Sequence, residues 1–124
     1  MQENEVRELL ERLLAAMDPA VEYEHRHEDY VVDMPQSGER MTRDGLRAMQ
    51  EAFPGGPPKI TLEHLMGSGD QWAGFSTIRY SDGPTAFGVA FIQFRDGKMW
   101  RETRFYAEPF EAPAWRAQWV EKIR

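Results

Sequence analysis

Residues 84–107 read PTAFGVAFIQFRDGKMWRETRFYA, two runs of strand-forming residues separated by Asp96-Gly97. A two-residue type I′ turn needs positive φ twice, and Asp-Gly between such runs is the strongest short hairpin signal. Two further turn signals lie upstream, Ser81-Asp82-Gly83-Pro84 and Gly67-Ser68-Gly69-Asp70. Together they predict four long strands, over 59–67, 71–80, 84–95 and 98–107, joined as an antiparallel meander.

Working back from the meander, the pattern becomes helical. Val6, Leu9, Leu10, Leu13, Leu14 and Met17 recur on one helical face. Asp18-Pro19 reads as an N-cap followed by proline at the first position of a second helix, running to about Glu28. On that helix His25 and His27, two apart, diverge. Residues 30–34 have strand character, Pro35-Gln36-Ser37-Gly38 is a turn, and Glu39 to Met41 returns as a short strand. Thr42 or Asp44 caps a third helix carrying Leu46, Met49 and Phe53, which Pro54-Gly55-Gly56-Pro57-Pro58 stops. Residues 113–122 predict a last helical piece with Trp115, Trp119 and Ile123 turned inward. Helices followed by a meander give an α+β domain over residues 1–124, with helices on one face of a sheet. Long strands twist, and a strongly twisted sheet curls into a cone with a hollow.

Hairpin turns fix cross-strand partners, and partners share a face. With Asp96-Gly97 as the turn, Phe91 faces Glu102, Val89 faces Arg104 and Phe87 faces Tyr106. With Asp82-Gly83 as the turn, Ile78 faces Phe87, Ser76 faces Val89 and Trp72 faces Gln93. One face then carries Trp72, Ser76, Ile78, Tyr80, Phe87, Val89, Phe91, Gln93, Trp100, Glu102, Arg104 and Tyr106. It is large, aromatic and apolar with an acid and a base in its middle, as a binding hollow is. The opposite face carries the smaller set Ala73, Phe75, Ala86, Gly88, Ala90, Ile92 and Phe94. Left exposed, that set would be an apolar patch of a size monomers avoid, so it predicts a two-fold homodimer. A single β-bulge reverses the faces beyond it.

The composition narrows the chemistry. Of the 124 residues, 41% are hydrophobic and 29% charged, an ordinary globular balance. A net charge of −6 argues against nucleic acid as a partner, because that affinity is mostly cationic neutralisation. There is no cysteine, hence no disulfide framework and no thiolate nucleophile. No apolar run approaches the roughly 20 residues that span a bilayer, so no membrane role is expected. The acidic N-terminus is unlike a signal peptide, and a cytoplasmic protein is expected. There is no glycine-rich phosphate loop, no nucleophile elbow and no clustered metal ligands.

Glu102 and Arg104 lie two apart on one strand and point the same way. A carboxylate flanked by aromatic side chains loses solvation, which raises its pKa, while a neighbouring Arg lowers it. In such a setting Glu102 is a candidate general base and Arg104 its positioning partner or an enolate stabiliser. Tyr30 and Tyr106 are candidate hydrogen-bond donors, and Tyr30, Trp72, Phe87, Phe91, Trp100 and Tyr106 the candidate substrate-binding set. The other reading of Glu102 and Arg104 is an ion pair on a solvated strand face. His25, His27 and His64 read as solvated or half-buried side chains, and Asp29 and Asp33 as turn or cap residues.

Three segments carry a resemblance: Asp33-Met34-Pro35-Gln36-Ser37-Gly38-Glu39-Arg40, Asp96-Gly97-Lys98 with Arg101-Glu102-Thr103, and the tail from Ala107 to Arg116. With the order helices first and meander last, the chain resembles the nuclear transport factor 2-like superfamily, and within it the SnoaL-like branch named for a polyketide cyclase. The resemblance implies a conical α+β fold with a deep apolar pocket, usually dimeric, and an acidic base on an inner strand that needs no cofactor. Glu102 best matches that base. The order Glu102 then Arg104 differs from the limonene epoxide hydrolase-like members, and the Tyr plus paired Asp set of ketosteroid isomerases has no match. The expectation is a cofactor-free protein taking a hydrophobic small molecule, with proton transfer on a carbonyl compound as in an isomerase or cyclase. The alternative is a ligand-binding or dimeric accessory domain without catalysis.

Overall fold

The computed structural model describes residues 1–123. Its elements run α1 (Glu3–Ala16), α2 (Pro19–Glu24), β1 (Arg26–Met34), β2 (Glu39–Thr42), α3 (Arg43–Glu51), β3 (Lys59–Ser68), β4 (Gln71–Arg79), β5 (Thr85–Arg95) and β6 (Lys98–Ala107). A short 3-10 helix (Ala114–Trp119) follows. The six strands form one sheet in the order β2-β1-β6-β5-β4-β3, with β1 parallel to β6 and every other pair antiparallel. This is the mixed α+β architecture expected, a curved sheet closed over by N-terminal helices.

Each helix starts on a chemical stop. Gln2 and Glu5 form a reciprocal capping box at α1, satisfying amides that have no partner within the helix. Asp18 accepts from the Ala20 amide at 3.0 Å and Pro19 fits the first turn of α2. Thr42 accepts from the Gly45 amide at 3.2 Å to start α3. The apolar face of α1 (Val6, Leu9, Leu10, Leu13) joins Tyr30, Val32, Leu46, Leu65, Trp72, Ile92, Phe94 and Met99 in one core.

Two expectations about these elements change. The second helix ends at Glu24, not near Glu28, because the sheet claims the chain: the Met99 amide donates to the His25 carbonyl at 2.9 Å and Arg26 pairs with Met99. His25 therefore caps the helix and His27 lies on β1. The tail does not turn inward, for Trp115 and Trp119 are 75% and 71% exposed. Pro109 and Pro113 interrupt both ladder and helix bonding there, and the core is already filled from α1.

The register differs from the expected one at two places. Asp96 and Gly97 have φ of 53° and 75°, the type I′ turn, and Arg95 pairs with Lys98. Two residues on, however, the pairing runs from Phe94 with Met99 to Gln93 with Arg101, so Trp100 is the extra residue of a β-bulge. In the β4–β5 hairpin Arg79 pairs with Thr85, leaving a five-residue loop in place of a two-residue turn. Pro84 has no N–H to give to the ladder, which pushes the first pair outward. Each shift is one residue, and they cancel between β4 and β6. Trp72, Ser76, Ile78, Glu102, Arg104 and Tyr106 therefore still share a face, but β5 is reversed within it. Ala86, Gly88, Ala90, Ile92 and Phe94 point inward, so most of the small set expected to form a dimer face lies in the interior instead, while Phe87, Val89, Phe91 and Gln93 point outward.

Candidate active site

Small inward residues in the middle of β4 and β5 leave space between the sheet and the helices. Gly74, Gly88 and Ala90 sit under a hollow of about 160 Å³ whose apolar wall includes Leu10, Leu13, Met17, Ile60, Leu62 and Ile78. A methyl group placed on Gly88 would meet Ile78 Cδ1 at 3.1 Å, so this part of the wall is already in close contact.

The polar groups of the hollow form two linked sets. Glu102, on β6, is 6% exposed. Its Oε1 accepts from the Tyr30 hydroxyl at 2.6 Å, and its Oε2 accepts from Arg104 Nε. The two terminal nitrogens of Arg104 make no hydrogen bond among the described residues, and Arg104 lines the hollow. Burial alone pushes the Glu102 carboxyl up, but the Arg104 charge and hydrogen bond, the Tyr30 hydroxyl and the Arg26 charge outweigh it, and the carboxyl lies below its ordinary value. Burial and the Glu102 charge drive the Tyr30 phenol far up, which fixes Tyr30 as a proton-bearing donor.

The second set comes from the helical side. Arg26 is 1% exposed, and both its terminal nitrogens donate to Gln50 Oε1, at 3.4 and 3.3 Å. Its Nη2 lies 3.7 Å from Glu22 Oε1, and its guanidinium stands 5.4 Å from the centre of the Tyr30 ring. Gln50 Nε2 donates to Glu22 Oε2 at 3.3 Å. Burial raises the Glu22 carboxyl above its ordinary value against the pull of Arg26 and Arg104. One hollow thus holds one carboxyl shifted down and another shifted up.

Of the residues expected here, Glu102 and Arg104 line the hollow and Tyr106 stands at its mouth, 41% exposed. Tyr30 lies behind Glu102 and touches it rather than the lumen. Trp72 is buried core, its Nε1 donating to the Gly69 carbonyl at 2.9 Å, and is not part of the wall. Phe87 and Phe91 lie on the outer face because β5 is reversed. There Phe75 stands 6.2 Å from Phe87, and Phe91 meets Phe105 edge-on at 6.4 Å. Trp100 occupies the bulge, with the Arg101 and Arg95 guanidinium groups 4.2 and 5.1 Å from its ring. None of the three histidines lines the hollow: His27 Nε2 lies 3.6 Å from Asp96, and His64 stacks on Phe75 at 5.9 Å on the outer face. Asp33 holds Arg40 through two hydrogen bonds of 2.6 and 2.9 Å on the surface. Glu22, Arg26 and Gln50 were not among the expected site residues. The one signal for them is the spacing of four between Glu22 and Arg26, which on a helix surface marks an idle pair as readily as a buried one. Among the described residues no group of three His, Asp or Glu is placed to hold a metal ion, and no helix is long and apolar enough to cross a membrane.

The fold is shared with solved structures. An NTF2-like protein of unknown function from Burkholderia xenovorans LB400 is 38% identical, with 100% of this chain and 99% of that one aligned at a TM-score of 0.82. A putative ketosteroid isomerase from Kribbella flavida DSM 17836 is 25% identical over 95% of this chain and 89% of its own, at 0.81. IdmH, a putative polyketide cyclase from Streptomyces antibioticus, is 16% identical over 86% of this chain and 92% of its own, and at 0.65 it shares the fold. No curated protein matches the chain. The SnoaL-like domain model matches residues 6–102, most of the chain, and with the conical α+β fold around Glu102 it gives the assignment: this chain belongs to the SnoaL-like domain family of the NTF2-like superfamily.

Proposed function

We propose that this protein is an acid–base enzyme that moves a proton at carbon in a small, apolar carbonyl compound, as in an isomerisation or an aldol-type cyclisation. The observation that carries the reading is the Glu102–Arg104 pair on the wall of an apolar hollow, with the carboxylate held ionised and guanidinium N–H groups left without a protein partner among the described residues. An ionised carboxylate offers about four lone-pair sites. Tyr30 and Arg104 take one on each oxygen, and the remainder are free to accept a proton from a carbon next to a carbonyl. The negative charge then grows on the carbonyl oxygen, where fixed N–H donors in a dry site stabilise it most. Isomerase and cyclase names among the structural neighbours support the same class of chemistry.

The hollow limits the substrate. A cavity of about 150 Å³ is filled by benzene, so about 160 Å³ suits a compound of one ring. A single-ring ketone such as cyclohexanone is the fitting probe. Exchange of its α-hydrogens in D2O, followed by NMR, is expected above the buffer rate, and Glu102→Gln is expected to remove about a hundredfold or more of it. Exchange no faster than buffer would overturn the reading. It would leave the alternative, ligand binding without turnover, which draws on the fact that both Glu102 oxygens already accept a hydrogen bond.

The proposal extends to a homodimer and a cytoplasmic location. The outer face carries Met66, Phe91 and Phe105, all exposed, beside the His64–Phe75 stack, and the tail tryptophans do not cover it. A second copy seated two-fold on that face is the occupant we favour. The expected result from light scattering at micromolar concentration is a dimer mass, and a monomer mass persisting at high concentration would remove it.

A further inference from the structure

Glu22 has no part in the chemistry assigned to Glu102, yet it lies in the same hollow. Its side chain is 13% exposed, and it enters from α2 while Glu102 enters from the sheet. Its Oε2 is held by Gln50, whereas the only contact of its Oε1 among the described residues is the 3.7 Å approach of Arg26. Glu22 lines the hollow, and its Oε1 has no hydrogen-bond partner among the described residues. We propose that Glu22 is the general acid of the hollow, protonating the carbonyl oxygen of the substrate while Glu102 takes the proton from carbon. This inference rests on the acid–base reading above.

The step balances. Glu102 accepts the α-proton, the C–H pair becomes the new C=C bond, and the carbonyl π pair moves to oxygen and takes the proton of Glu22. The products are an enol, a protonated Glu102 and an ionised Glu22. Return of the Glu102 proton at the same or a conjugated carbon, with the enol proton going back to Glu22, completes exchange or isomerisation with both carboxyls restored.

The surroundings of Glu22 set up this role. Facing it are Arg26 at the start of β1, Gln50 from α3, and Glu102 and Arg104 from β6, while α1 and the Met17 that caps it present only Leu10, Leu13, Leu14 and Met17 itself. Burial outweighs the two arginines and keeps the proton on Glu22 at higher pH than usual. With Glu22 protonated, the charged groups lining the hollow leave one net positive charge, which favours the shift of electron density onto the carbonyl oxygen. Two carboxyls pushed apart by their environments are the arrangement that divides acid and base roles.

The test is the pH–rate profile of cyclohexanone exchange. Wild type is expected to lose rate as pH rises through the Glu22 value. Glu22→Gln is expected to lower kcat about a hundredfold, leave KM within about twofold, and abolish that falling limb. NMR titration of the labelled Glu22 carboxyl in the wild type decides the matter if Glu22→Gln does not fold, since its midpoint is expected to coincide with the falling limb. A falling limb kept in Glu22→Gln, or one that does not coincide with the Glu22 titration, would overturn the inference and leave Glu102 as base. Absence of wild-type exchange would instead overturn the acid–base reading, and this inference with it.

Discussion

Phe91 and Ile92 are neighbours in β5 and meet opposite surroundings. Ile92 is buried in the core cluster, while Phe91 is 52% exposed and rests its edge against Phe105. The same contrast holds along the strand: Ala86, Gly88 and Ala90 face the helices, and Phe87 and Val89 face away. A filled core would put the large residues inside. A hollow reverses this, because space exists only where side chains are small. The inner face of β5 therefore provides volume, and the outer face leaves apolar side chains exposed.

The strongest way to break this comparison is at the charged end of the inner face. Glu102→Leu leaves Arg104 and the Tyr30 hydroxyl without their partner in a buried place. The expected loss is about 3–5 kcal/mol in urea unfolding, and a loss under about 1 would mean the pair is solvated. The next test compares the two neighbours directly. Ile92→Ala is expected to cost about 2–5 kcal/mol as a core truncation. Phe91→Ala is expected to cost less in chain stability but to weaken the proposed dimer, read by scattering. The reverse order would restore the register that two tight turns predict. Gly97→Val, at a φ of 75°, is expected to cost more than about 1 kcal/mol, and an unchanged melting midpoint would contradict the type I′ turn.

The smallest effect is the pH dependence of stability. The lowered Glu102 carboxyl contributes stability present above its unfolded value, near 4.5, and lost as pH falls through the folded value below it. The raised Glu22 carboxyl has the opposite sign: its contribution is complete below 4.5 and is lost as pH rises through its folded value. Melting midpoints are expected to decline on both sides. Glu22→Gln is expected to flatten the decline above 4.5 while leaving the acid side in place, and an undiminished decline in that variant would show that Glu22 is solvated.

The sequence carries local signals well and cumulative ones poorly. The Asp96-Gly97 turn, the apolar face of α1 and the Asp18 and Thr42 caps are each decided within a few residues, and each is present in the fold. Face assignment accumulates every residue between turns. The loop extended by Pro84 and the bulge at Trp100 each shift it by one, and only their cancellation keeps Glu102 and Arg104 with Trp72 and Ile78. Glu22, Arg26 and Gln50 come from α2, β1 and α3. Their spacing resembles a solvated helix surface, and their meeting in the hollow depends on tertiary closure that no local pattern records. The exposed Trp115 and Trp119 show the converse, apolar residues at helical spacing with no core left to enter.

The hollow holds two carboxyls driven in opposite directions by what touches them. Carboxyl-labelled NMR titration of Glu22 and Glu102 in the intact protein tests it directly. Glu102 is expected to stay ionised below its ordinary value of 4.5 and Glu22 to hold its proton above it. Two carboxyls titrating together near 4.5 would contradict it.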